Sequence, residues 1–294
     1  MKFYIVDAFT DKVFGGNPAG VVYIPAGADF PDDETMRKTA AELRYSETAF
    51  LKTLGDKKFH VRYFTPAAEV DLCGHATIAT FYTLFASGAI KAGDVCDFKT
   101  MAGDLTVLVT ESGVLMDMGE AQTFGTIEAP EKLEELYKIM GAEVIVPEKD
   151  GQKLYPELVS TGLTDIMMAV KDMDALNGLE PNMKALSDLS KAYDVTGVHA
   201  FTVNTTDGNV HCRNFAPLYD IDEEAATGTS NGALTYYLYK RGFVTPGKDN
   251  IFIQGEAMDR PSIITSRLTE LGEGKIKIQV GGVAAILAEG EINL

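Results

Sequence analysis

The chain has 294 residues, 43 of them acidic and 26 basic, for a formal net charge of −17. Hydrophobic residues make up 46% and charged ones 23%, the balance of a globular chain rather than a disordered one. The acidity argues against nucleic acid or an anionic membrane surface as partner, because both demand clustered Lys and Arg.

The opening apolar run, Phe3-Tyr4-Ile5-Val6, is short of the roughly 7–15 residues of a signal peptide. No stretch offers the ~20 mostly apolar residues of a membrane span. Three cysteines at unrelated spacings (Cys73, Cys96, Cys212) make neither a disulfide framework nor a zinc cage. A cytoplasmic location is expected.

In chain order, strand-like stretches at Lys2–Val6 and Ala19–Tyr23 precede an amphipathic helix capped by Asp32 or Asp33. Its apolar side is Met36, Ala40 and Leu43. Strands are predicted at Thr48–Lys52 and His60–Tyr63. After Gly74, the apolar residues Ile78, Phe81, Tyr82 and Phe85 follow helical spacing, and no formal charge occurs before Lys91. A helix with no charged face is buried on all sides. Beyond it come a strand at Thr106–Thr110 and a second amphipathic helix at Met183–Ala192. Strands at Phe201–Thr205 and Val210–Asn214 follow. A second uncharged helix runs from Gly228 to Tyr239, before strands at Ile251–Gln254 and Lys275–Val280.

The order repeats. Arg62-Tyr63-Phe64-Thr65-Pro66 recurs as Arg213-Asn214-Phe215-Ala216-Pro217, an offset of 151 residues. An acid and a glycine turn follow each copy: Asp71 before Gly74, and Glu224 before Gly228, with the glycines 154 apart. The difference of three places a short insertion around Leu218–Asp222. Two matches in one order near the half-length indicate a duplicated domain. The expected fold is α+β: a sheet curled around one central buried helix, built twice, with a cleft between the copies.

Several residues carry chemistry. Each uncharged helix starts just past a glycine, and free N–H groups at a helix N-terminus attract anions. A small carboxylate is the ligand that two such ends would hold; plain glycine turns are the alternative. Glu47 opens the Thr48 strand, and by alternation it points with Ala49 and Leu51. There it would be desolvated and suited to proton transfer, unless it is simply an exposed rim glutamate. His75, in the first turn of the buried helix, is either a structural histidine or an acid, base or ligand donor. Asp71 and Glu224 suit helix starts. Cys73 needs a partner to be a nucleophile or base, and its counterpart in the second half is Thr227. Arg62 and Arg213 are structural pairs or substrate clamps. No metal is expected, since His75 has no second ligand at a helical or strand spacing.

Gly16-Asn17-Pro18-Ala19, Tyr45-Ser46-Glu47-Thr48-Ala49-Phe50, Arg62–Pro66, Leu72-Cys73-Gly74-His75-Ala76-Thr77 and Gln254-Gly255 with Arg260-Pro261-Ser262 together resemble the PhzF-like phenazine-biosynthesis family. The resemblance implies a diaminopimelate-epimerase-like fold of two barrel-around-helix domains. These would comprise residues 1–118 with 280–294, and residues 119–279. It implies a cofactor-independent isomerase in which Glu47 shuttles a proton, with His75 and Glu224 as catalytic partners. Asn17, Gly74, Gly228 and Thr229 would then bind a small carboxylated substrate. Residues 224–229 depart from the family's D-P-x-T-G-S turn, with Glu for Asp, Ala for Pro and Thr for Ser. An added methylene at Glu224 shifts a carboxylate by about an ångström, which bears on substrate identity. A homodimer is the expected assembly. Because Thr227 is no thiol, two-base racemisation is disfavoured. An amino-acid epimerase, a hydroxy-amino-acid dehydratase and a non-catalytic small-carboxylate binder are the alternatives.

Overall fold

The computed structural model describes residues 1–294. Its six α-helices are α1 (Asp33–Leu43), α2 (Gly74–Ala86), α3 (Pro130–Ile139), α4 (Met173–Asn177), α5 (Met183–Tyr193) and α6 (Gly228–Tyr239). The two uncharged segments become α2 and α6, and in both most side chains are buried. None of the helices is long and apolar enough to cross a membrane. The chain divides into one unit of Met1–Asp117 with Gly281–Leu294 and a second of Met118–Val280.

In the first unit the strand order is Ala284–Glu291, Lys2–Ala8, Asn17–Tyr23, Thr48–Gly55, Lys58–Phe64, Val95–Thr100, Gly103–Thr110 and Gly113–Asp117. α2 packs against strands at both ends of this order, so the sheet curls around it. Phe81 of α2 is fully buried between Phe59 and Phe98, with ring centroids 5.5 and 5.0 Å away. α1 lies outside, with Met36 and Ala40 packed on Val22, Phe50 and Phe64. Asp32 is its N-cap, accepting from the Thr35 amide at 3.0 Å.

The second unit repeats this plan. Its strands run Gln122–Thr126, Glu157–Ser160, Thr164–Ala169, Gly197–Thr202, Val210–Ala216, Asp249–Gln254 and Ser262–Gly272. Parallel pairs fall at the same two places in both orders. α6 packs against Glu157–Ser160, Thr164–Ala169 and Ser262–Gly272. Outside, Leu133, Leu136 and Tyr137 of α3 and Leu186 and Leu189 of α5 cover Ile166, Met168, Val198 and Phe215. The strand predicted at Phe201–Thr205 instead spans Gly197–Thr202. It stops there because the Thr202 hydroxyl accepts from the Asn204 amide at 3.2 Å, turning the chain.

Both repeated arginines are structural pairs. Arg62 Nε donates to Glu69 at 2.7 Å, while Arg213 grips Glu223 through two bonds of 2.8 Å. Glu69 and Glu223 are 154 apart, as the helix glycines are, so they are the matching acids. This corrects the pairing of Asp71 with Glu224. Strand register agrees, setting Val70 opposite Tyr63 and Glu224 opposite Asn214. The carboxylate at 224 therefore has no counterpart in the first unit.

Phe81→Ala removes a ring enclosed on every side, and such truncations cost about 3–5 kcal/mol. Leu54, half exposed, provides the contrast: Leu54→Ala should stay within about 0.5 kcal/mol. Urea unfolding midpoints of the two variants check this.

Candidate active site

Gly16 sets the first group in place. It has φ +59°, and a Cβ there would lie 2.0 Å from the Ala8 carbonyl oxygen, so only glycine fits. The turn delivers Asn17 to the start of its strand, where it is 7% exposed. Asn17 Nδ2 stands 3.3 Å from His75 Nδ1. With the amide donating, Nδ1 accepts and the imidazole carries its proton on Nε2. That nitrogen is 3.3 Å from both Ser46 Oγ and Glu47 Oε2. His75 itself is 5% exposed, and burial holds its pKa below the ordinary histidine range, against the opposing pull of Glu47. The neutral imidazole thus spans from the Asn17 amide to the Glu47 carboxylate.

Glu47 stands outside the regular strand. It precedes the strand, in the segment that follows the left-handed C-cap Arg44, and its carbonyl accepts from the Gly20 amide at 3.4 Å. The strand behind it is buried on both faces, Thr48 and Ala49 alike, so alternation could not assign Glu47 a side. Its side chain is 20% exposed, which leaves the carboxylate reachable while one oxygen faces His75.

Cys73 has the partner it needs. Its Sγ is 3.4 Å from His75 Nδ1 and 3.8 Å from Nε2. Its carbonyl accepts from both the amide and the hydroxyl of Thr77, and Tyr63 OH in turn donates to that hydroxyl at 2.6 Å. These bonds fix the first turn of α2, whose leading amides, from Gly74 onward, have no acceptor within the helix. One ligand atom each from Glu47, Cys73 and His75 lie within 4.8 Å of one another. The spacing argument against a metal therefore fails, because the ligands converge from two separate segments.

The remaining predicted residues gather in the second unit. Thr227 Oγ1 donates to Glu224 Oε2 at 2.6 Å. Gln254, fully buried, closes the turn: its Nε2 donates to the Glu224 carbonyl at 2.7 Å, and its Oε1 accepts from the Thr227 amide at 3.2 Å. Ser262 donates to the Ala225 carbonyl at 2.7 Å. Gly228 and Thr229 then open α6, and the Thr229 carbonyl accepts from Thr161. Ser230 donates to the buried carboxylate of Asp165, whose pKa burial pushes up to about 6. Asn214 links Ser230 to His199, whose pKa burial pushes down to about 3. Sequence reasoning missed Ser46, Asp165, His199 and the clamping role of Gln254. Only Ser46 and Gln254 left a signal, by their place in the quoted motifs.

The two units carry different chemistry at matching positions. Thr48 pairs with Phe64 as Val198 pairs with Phe215, so the counterpart of Glu47 is Gly197. A Cβ at Gly197 would come 1.9 Å from the Phe215 carbonyl oxygen. His75 matches Thr229, and Cys73 matches Thr227.

Residues 6–290 match the model of the phenazine biosynthesis-like protein family. An uncharacterized isomerase of Clostridium acetobutylicum is 35% identical, covering 100% of this chain and 98% of that protein. The trans-2,3-dihydro-3-hydroxyanthranilate isomerase of Pseudomonas aeruginosa is 27% identical, covering 100% and 99%. A PhzF-family phenazine biosynthesis protein from Bacillus anthracis superposes with a TM-score of 0.85 at 28% identity, covering 100% and 99%.

His75 should remain neutral at pH 6.5, where an unperturbed imidazole is half protonated. Its ring nitrogen shifts in a pH-resolved NMR titration check this. The same depression makes stability pH-dependent. Below about 6.5 the unfolded chain takes up protons that folded His75 and His199 refuse, so stability falls with falling pH. Asp165 acts oppositely between about 6 and its ordinary value of 3.8 and offsets part of that slope, so stability should be level above about pH 7 and fall increasingly as the pH drops from 6.5 toward about 5. Chemical denaturation across that range reads it directly.

Proposed function

This chain belongs to the phenazine biosynthesis-like protein family, and from that membership we propose a cofactor-independent isomerase whose Glu47 moves a proton between two carbons of a small carboxylated substrate. The observation that carries this reading is the Glu47 carboxylate, reachable from solvent and bonded to a neutral His75, with only Gly197 at the matching position. One base acting on one face suits a proton shift. It does not suit racemisation, which needs an acid on the opposite face.

In the proposed reaction, Glu47 removes a proton from a carbon next to an unsaturated or carbonyl-bearing group. The electron pair delocalises into that group, and protonated Glu47 returns the proton at the far carbon. The carboxylate is regenerated and no atom is lost. His75 holds Glu47 through Nε2–H, and Asn17 keeps that proton on Nε2. The named Pseudomonas relative supports a substrate of the dihydro-hydroxyanthranilate or hydroxy/amino acid kind. Glu224, Gly228 and Thr229 are proposed to position its polar groups, the amides at Gly74 and Gly228 being suited to a carboxylate. A cytoplasmic homodimer completes the proposal.

The contact of Cys73 with His75 favours a second reading, in which the thiol is the base of an epimerase. A screen of dihydroanthranilates and hydroxylated amino acids, followed by NMR for isomerisation and carbon-bound deuterium uptake, identifies a substrate. Glu47→Gln should then lower turnover by at least ~10²-fold with binding retained, the low end for an acid–base group. Cys73→Ala should be mild. If Cys73→Ala is the dead variant and Glu47→Gln turns over, the thiol is the base. A ligand bound without proton exchange would make the protein a binder.

A further inference from the structure

We propose that Cys73, His75 and Glu47 form a three-ligand site for a thiophilic divalent cation, zinc foremost, and that filling it switches the enzyme off. The ligand set is one thiolate, one imidazole and one carboxylate, a combination suited to zinc and its congeners. In a tetrahedral zinc centre, metal–ligand lengths of ~2.0–2.3 Å set the ligand atoms roughly 3.3–3.8 Å apart. Here Nε2 to Glu47 Oε2 is 3.3 Å, while Cys73 Sγ lies 3.8 Å from Nε2 and 3.4 Å from Nδ1, so the imidazole must turn to aim its Nε2 lone pair between thiolate and carboxylate. The third edge, Cys73 to Glu47, lies within 4.8 Å and must close by about 1 Å at most. Glu47 can supply that movement, since its side chain is partly exposed and not enclosed by the core.

Charge also favours capture. A thiolate and a carboxylate together balance a dication, the thiol giving up its proton on binding. On binding, the imidazole proton passes to Nδ1, and the Asn17 amide, 3.3 Å away, turns its oxygen to accept it. Three protein ligands leave a fourth coordination position for water or substrate. Cys96 and Cys212 offer no such site: burial raises both thiols, and Cys212 is held against the side chains of Asn231 and Gln254. Inhibition, as distinct from binding, rests on the proposed role of Glu47, whose lone pair the cation would occupy.

The test titrates the metal-stripped 294-residue chain with Cd²⁺ and Co²⁺, each then displaced by Zn²⁺. One cation per chain is expected, with a cadmium–thiolate charge-transfer band and the intense visible spectrum of tetrahedral cobalt. Cys73→Ser should abolish the cadmium band, and zinc should raise the melting temperature of the wild type but not of this variant. His75→Gln and Glu47→Gln should each weaken binding at least about tenfold. Cys96→Ser and Cys212→Ser should bind as the wild type does. Survival of the band in Cys73→Ser, or unchanged affinity in His75→Gln, overturns the site. Saturating zinc should also abolish turnover, with recovery on adding a chelator. Undiminished turnover in saturating zinc overturns the switch while leaving the site. Full turnover by Glu47→Gln without metal defeats the proposed function instead, and the spectroscopic arms still decide the site.

Discussion

A helix enclosed by strands must satisfy its polar groups without water, and the rest of the molecule follows from that. α2 and α6 carry no charged side chain, and several of their hydroxyls bond back to the helix itself. Thr77, Thr80 and Thr235 donate to the carbonyls four residues earlier, at 2.7 Å in each case. What cannot be satisfied internally is the first turn, where the leading amides lack acceptors. Cys73 and His75 stand at that end of α2, while Thr227 and Glu224 stand at that end of α6. The enclosed helix thus concentrates chemistry at one end by leaving nowhere else for it.

Duplication preserved the scaffold and let the chemistry diverge. The arginine–glutamate pairs Arg62–Glu69 and Arg213–Glu223 persist in both units, because removing one partner would strand a charge away from water. Functional positions are under no such shared demand. Glu47 answers to Gly197, where a side chain collides with backbone, and Glu224 answers to Val70. Each unit therefore holds a distinct half of the polar inventory.

Much of this was legible in the residues. The absence of charge over residues 76–90 marked α2 as enclosed, and the repeated R-x-F-x-P marked the duplication. The α+β class, with a sheet around a helix in each half, follows from those two signals. Glu47 and His75 stood out by type and place, yet their contact did not, because 27 residues of intervening chain close only through strand pairing. Alternation had no hold on Glu47 for a physical reason: both faces of the following strand are covered, so polarity carries no period there. The matching acids of the two repeats were misassigned as Asp71 and Glu224 in place of Glu69 and Glu223. The three-residue insertion around Leu218–Asp222, next to a short 3₁₀ turn, precedes the glutamates, so the offset is already 154 at Glu223 and not only at the glycine.

The pairing of Lys2–Ala8 with Ala284–Glu291 governs how the polypeptide assembles as it leaves the ribosome. The terminal ammonium of Met1 donates to the Ile292 carbonyl, a contact spanning 291 positions. Synthesis proceeds at ~5–20 residues per second, so the amino-terminal strand waits tens of seconds for its outer neighbour. The second unit is contiguous from 118 to 280, so all of it is made before the closing strand Ala284–Glu291 emerges. It can mature first, while the earlier-made segment keeps an unpaired strand edge exposed to aggregation. The part translated first is thus the last to be finished.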